Sequence, residues 1–168
     1  MMDTVPNILQ IGMFKAVAET LENMAFMEVE HTKDPMPPTE ETMGVSLLIH
    51  DPVQWELAMS MPRRMVLDIA SAVYAMSEED ISEELVQDLL AEILNTVAGR
   101  FLSEVLLPNE TFTLGLPETC PVDGCPSDEA PLLAWNFSAD GLLFGLRAAG
   151  SSLEGLNNKL KPTIKAHD

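Results

Sequence analysis

Three polar side chains stand out by their spacing. Asp88, Glu92 and Asn95 fall at i, i+4 and i+7 of a stretch that runs from Ser82 towards Pro108, and on a helix that spacing confines them to an arc of about 60°. Two carboxylates and an amide then project in one direction, offering charge and hydrogen bonding. Their neighbours on that face are Ala91, Ala98 and Gly99, and such small residues leave a flat strip that another protein can approach closely. Two of these choices oppose helix formation: relative to Ala, an interior Asn costs up to about 0.7 kcal/mol and Gly about 1 kcal/mol. A Glu-x-x-Asn pair is common, however, and the same residues also suit the solvated outer face of an amphipathic helix.

The other reactive side chains form no comparable set. Cys120 and Cys125 bracket a Pro/Asp-rich loop that could be half a zinc site, a local disulfide or two free thiols. A closed zinc site takes four ligands, and His31, His50 and His167 are scattered without ligand spacing, so free thiols are expected. Arg63 and Arg64 open a short helix, where a cation is unfavourable, and read as solvated charges rather than a phosphate site. No Walker-type glycine loop is present. Methionines such as Met24, Met59 and Met65 fall at core-facing positions and read as packing.

The stretch carrying the polar strip is itself well defined. Ser82 is a good N-cap, Glu83 and Glu84 favour the helix dipole, and Pro108 marks the end. Val86, Leu90, Ile93, Leu94, Val97 and Phe101 cluster on the side opposite the strip. An earlier helix is expected from Asn7 to about Phe26, with Ile8, Ile11, Phe14, Val17, Ala18, Leu21, Met24 and Ala25 on its buried face. Strands are expected at 43–50 and 53–61, joined by Asp51-Pro52 as a hairpin, and Pro62 fits the first position of a short helix reaching about Met76. After the second long helix come strands at 111–116, 132–138 and 142–149, the last two flanking an Asp140-Gly141 turn. Laying Ala18–Ala25 over Ala91–Ala98 aligns four identities and puts the following strand blocks in the same order, which suggests an internal repeat.

With 168 residues and 46% hydrophobic content, the chain suits one domain, taken as residues 1–150, followed by a polar C-terminal tail at 151–168. Nine Lys+Arg against 27 Asp+Glu give a net charge of −18. Nucleic acid and anionic membrane surfaces are thereby excluded as partners, because both are bound through cations that neutralise phosphate. No apolar run approaches the ~20 residues of a membrane span, and the N-terminus lacks the pattern of a signal peptide. Two cysteines are too few for a disulfide scaffold. A cytoplasmic protein with a protein partner is expected.

The motif Asp88-x-x-x-Glu92-x-x-Asn95, followed by Ala98-Gly99-Arg100 and by Pro117, resembles the signature of the CheX/CheC/FliY chemotaxis phosphatases, and CheX most closely. The resemblance extends over roughly residues 8–149. It implies an α/β, CheC-like fold: two long helices packed on a mostly antiparallel sheet, with a pseudo-two-fold internal repeat. It also implies hydrolysis of the aspartyl phosphate of a CheY-like response regulator. Asn95 would hold the attacking water, Glu92 would pair with the receiver's lysine, and Asp88, Ala91, Ala98 and Gly99 would line the contact. No cofactor is implied in this chain, Mg²⁺ being the receiver's, and a homodimer is implied. Lys15, Glu19 and Glu22 stand where the second helix has Asp88, Glu92 and Asn95, so one site per chain is expected. The competing reading is a non-catalytic receiver-binding or flagellar-switch-like scaffold.

Overall fold

The computed structural model describes residues 7–37, 41–120 and 132–162. Chain order gives α1 (Asn7–Ala25), β1 (Val29–His31), β2 (Thr42–Asp51), β3 (Trp55–Pro62), α2 (Arg63–Tyr74), a 3-10 turn at Glu78–Asp80, α3 (Glu83–Val105), β4 (Thr113–Leu114), β5 (Glu118–Thr119), β6 (Leu132–Ala139), β7 (Leu142–Ala149) and a 3-10 helix at Leu153–Lys159. The strands form one antiparallel sheet in the order β1-β6-β7-β3-β2-β4, with β5 also on β2. Alternation decides which face is buried: Trp55, Leu57, Met59 and Met61 of β3 and Phe144, Leu146 and Ala148 of β7 point into the core. The β6–β7 hairpin turns at Asp140 and Gly141, with φ of 49° and 77°, the paired positive values of a tight type I′ turn.

The expected hairpin and the three helices are present, with differences that have physical causes. The strand expected at 111–116 is reduced to the two residues of β4, whose register on β2 shifts between Ile49 and Asp51, and a further two-residue strand, β5, pairs with Val45 and Ser46 of β2. Gly115 follows β4 directly, its N–H donating to the Leu48 carbonyl at 2.6 Å. In α1 the buried face is rotated from the expected one. Leu9, Gly12, Met13, Ala16, Val17, Thr20 and Leu21 are buried while Ile11 is 54% exposed. A count of apolar residues gives Gly12 and Thr20 no weight, yet both are buried. A Cβ on Gly12 would collide with Val105 of α3, and buried Thr20 satisfies its hydroxyl by donating to the Ala16 carbonyl at 2.6 Å.

Exchanging β1 with β4, β6 with β2 and β7 with β3 reads the sheet order backwards unchanged, with α1 and α3 heading the two halves. The alignment of Ala18 with Ala91 likewise superposes five pairs of buried residues, from Met13 with Val86 to Leu21 with Leu94. Both features follow the pattern that an internal duplication would leave.

The segment after Gly150, expected as a polar tail, contributes to the core. Leu153 and Leu156 are buried. Leu107 N–H donates to the Lys159 carbonyl at 2.9 Å and Lys161 N–H to the Val105 carbonyl at 2.8 Å, and Lys159 pairs with Glu110 at 3.3 Å. The segment therefore supplies partners to the C-terminal end of α3, where helix carbonyls lack them. Leu156→Ala should cost about 2–5 kcal/mol in urea unfolding; a loss below about 1 kcal/mol would show that the segment adds nothing to the core.

Candidate functional site

The polar strip depends on how α3 is seated. Its buried residues include all six expected core positions, together with Leu89, Ala98, Leu102 and Val105. Phe101 is edge-on to two tryptophans of the sheet, Trp55 at 6.3 Å and Trp135 at 5.9 Å between ring centroids, a favoured aromatic geometry. The first turn is capped by the Ser82 hydroxyl, which accepts from Leu85 N–H at 3.2 Å.

Ion pairs then tie α3 to both other helices. Arg63 forks onto both carboxylate oxygens of Glu83, holding the Glu83 carboxyl below its usual range and raising the Arg63 guanidinium. Arg64 bonds Asp68 and Glu78, so both arginines are solvated charges as expected, and each is also held in ion pairs. Across the α1–α3 groove, Arg100 meets Glu19 and Lys15 meets Glu104, both at 3.1 Å. Such exposed pairs contribute about 0.2–1 kcal/mol each at most. The apolar face sets the seating and the ion pairs trim it.

This seating exposes Asp88 and Glu92 and leaves Ala91, Asn95 and Gly99 half-buried on the same face. Ala98 does not belong with them. Its side chain is fully buried, because α3 buries more than half its circumference and position 98 falls just inside that boundary. Thr96 was not singled out in the sequence; its hydroxyl lies 3.4 Å from the Glu92 carboxylate, one helical turn back, a spacing that is visible in the sequence as i, i+4. Among the described residues nothing hydrogen-bonds the Asn95 amide or the Asp88 carboxylate. The corresponding residues of α1 are different: Lys15 and Glu19 are both engaged by α3, and Glu22 brings a carboxylate where α3 has an amide. Asn23 is displaced from it by about 100° of helix rotation.

Pro117 is half-buried between β4 and β5. Cys120, expected as a free thiol, is disulfide-bonded; Cys125 lies outside the described residues. Among the described residues no group of three or more His, Cys, Asp or Glu is arranged to hold a metal ion, and no helix is long and apolar enough to cross a membrane. The strip thus offers an accessible amide, two accessible carboxylates and small neighbours on a rigid support, a set suited to positioning groups that a partner brings. Nothing lies within 4 Å of a Cβ built on Gly99. Gly99→Ala should therefore raise stability by up to about 1 kcal/mol through helix propensity, measured by urea unfolding; a destabilised variant would contradict an open strip at that position.

Comparison with known proteins places the fold. The fold matches that of the chemotaxis protein CheX from Desulfovibrio desulfuricans, with 16% identity, 84% of this chain and 97% of that chain covered, and a TM-score of 0.63. It also matches the CheX-CheY-BeF3-Mg complex from Borrelia burgdorferi, with 17% identity, coverage of 83% and 95%, and a TM-score of 0.61. FliY from Thermotoga maritima matches with 16% identity, coverage of 94% and 97%, and a TM-score of 0.62. These solved structures share an α/β fold with a mostly antiparallel sheet. No curated protein sequence gives a significant match. The family described as chemotaxis phosphatase CheX matches residues 43–129, a span that contains the hairpin, α2, the whole of α3 and Pro117, and the chain belongs to that family.

Proposed function

We propose that this protein is a phosphatase for the aspartyl phosphate of a CheY-like response regulator in chemotaxis or a related two-component pathway. The observation that carries this reading is the Asn95 amide. It is accessible, mid-helix and without a partner among the described residues, one turn from exposed Glu92 on a helix of a phosphatase family. The Borrelia burgdorferi relative was captured as a CheX-CheY complex with BeF3 and Mg²⁺, which supports a receiver as the partner class.

In this mechanism α3 lies across the receiver's phosphorylation site. Asn95 accepts from and donates to a water and holds it in line with phosphorus. The water oxygen forms the new P–O bond, the acyl phosphate P–O bond breaks, and the receiver's aspartate leaves as carboxylate while the water's proton passes to phosphate or solvent. Glu92 pairs with the receiver's lysine and fixes the angle of approach. Asp88, Ala91 and Gly99 form the contact around them, and Ala98 supports the helix from within. Mg²⁺ belongs to the receiver, which supplies the charge that phosphoryl transfer needs. A cytoplasmic homodimer completes the reading.

The likeness of the fold to a FliM middle domain, at 10% identity and a TM-score of 0.57, favours a second reading, a receiver-binding or flagellar-switch-like scaffold without turnover. Asn95 separates the two, since a scaffold gains nothing from a mid-helix amide that disfavours the helix. Asn95→Ala should slow stimulated loss of receiver phosphate by a factor of about 100 or more while changing receiver affinity only a few-fold. Glu92→Ala should weaken both. Full activity in Asn95→Ala would overturn the mechanism.

A further inference from the structure

A receiver-sized partner cannot be held by the polar strip alone. From Asp88 to Gly99 the strip is about 17 Å long at 1.5 Å per residue and about 10 Å wide, whereas a stable interface covers about 800 Å² on each partner. A patch of that area centred on Asn95 reaches about 16 Å in every direction and must extend onto a neighbouring element.

The ion pairs show which part of α1 lies within it. Lys15 with Glu104 and Glu19 with Arg100 mean that α1 and α3 run antiparallel, four residues on one matched by four on the other. One more step sets Asn23 level with Thr96, and the next sets the end of α1, at Phe26 and Met27, level with Glu92. Packed helices lie about 8–10 Å apart, so the end of α1 falls inside the patch.

At that end stands Phe26, a residue at odds with its surroundings. Its ring is 90% exposed. Its backbone is left-handed, with φ of 57°, in the helix-stop position where glycine is usual and where an L side chain is strained. The stop itself is well bonded, Phe26 N–H donating to the Glu22 carbonyl at 3.0 Å and Met27 N–H to the Leu21 carbonyl at 3.3 Å, so the strained conformation is firmly held. Phe26 forms one wall of an open groove of about 440 Å³, with Ala18, Glu22, Met27 and Glu28 among its other walls. An aromatic residue presented to solvent in a groove that two glutamates also line fits a partner surface that is apolar and rimmed by cations, and aromatic residues dominate the binding energy of such contacts.

Resting on the proposed function, we infer that Phe26 is the second docking point for the phosphorylated receiver: α3 presents Asn95 and Glu92 to the phosphorylation site while Phe26 seats on an apolar patch of the same receiver. Its role is positioning, through the complex, and it touches no reacting atom.

Phe26→Gly tests this, because glycine accepts the left-handed backbone and the fold should keep or raise its thermal midpoint. The probe is the receiver that the wild-type protein dephosphorylates, or failing that each CheY-like receiver of the same genome, activated with beryllofluoride and Mg²⁺ and titrated calorimetrically. The expected result is a Kd raised ten-fold or more, a KM raised in parallel with kcat changed less than two-fold, and recovery of affinity in Phe26→Trp. Wild-type protein that accelerates dephosphorylation while Phe26→Gly binds within two-fold of it would overturn the docking role and leave the hydrolytic reading standing. A change in oligomer mass with unaltered receiver affinity would also overturn it, assigning Phe26 to a second copy of the chain. Wild-type protein that neither binds nor dephosphorylates any receiver would overturn both.

Discussion

The rotation of α3 about its own axis is the constraint on which the remaining structure depends. A helix that slips by one residue turns each side chain by about 100°, enough to carry Glu92 from solvent towards the core. Phe101, set edge-on between Trp55 and Trp135, and the run of buried residues from Val86 to Val105 fix that rotation. Everything else adjusts to it: α1 narrows to Gly12 where it meets Val105, Arg63 ties the start of α3 to α2, and the segment carrying Leu153 and Leu156 binds its end. The polar strip makes almost no contacts of its own, and its direction is set from beneath.

How much of this was legible in the sequence follows from which forces acted locally. Six of the ten buried positions of α3 are legible in the sequence, because apolar residues repeat there at helical spacing. The face of α1 is not legible in the same way, because it buries a glycine that meets α3 and a threonine that bonds within its own helix, neither of which a hydrophobic pattern weights. Ala98 was misplaced for a related reason: alanine is equally at home on either side of a burial boundary, and only the tertiary packing says where the boundary runs. The segment after Gly150 looked polar in bulk, yet two leucines three residues apart were enough to bury it. The Arg63–Glu83 fork joins residues 20 apart in the sequence, beyond the reach of local patterns.

The strongly acidic composition, with a net charge of −18, takes on a more specific meaning in this setting. Most of the carboxylates are general surface charge, and several are spent on ion pairs with the few cations available. Those of Asp88 and Glu92 differ in lying beside an amide that has no partner among the described residues, and Glu22 and Glu28 differ in lining one groove with an exposed phenylalanine. A partner that docks here meets negative charge around two uncharged contacts, an arrangement that steers a cationic surface and then orients it.

The most direct measurement is the decay of aspartyl phosphate on a labelled CheY-like receiver in the presence of substoichiometric protein. The account predicts that the first-order decay rate rises in proportion to the protein added, well before one copy is present per receiver, because each copy turns over many receivers. A rate that stays at the receiver's own value, or that changes only as the two approach equal amounts, would contradict it and identify a binding scaffold instead.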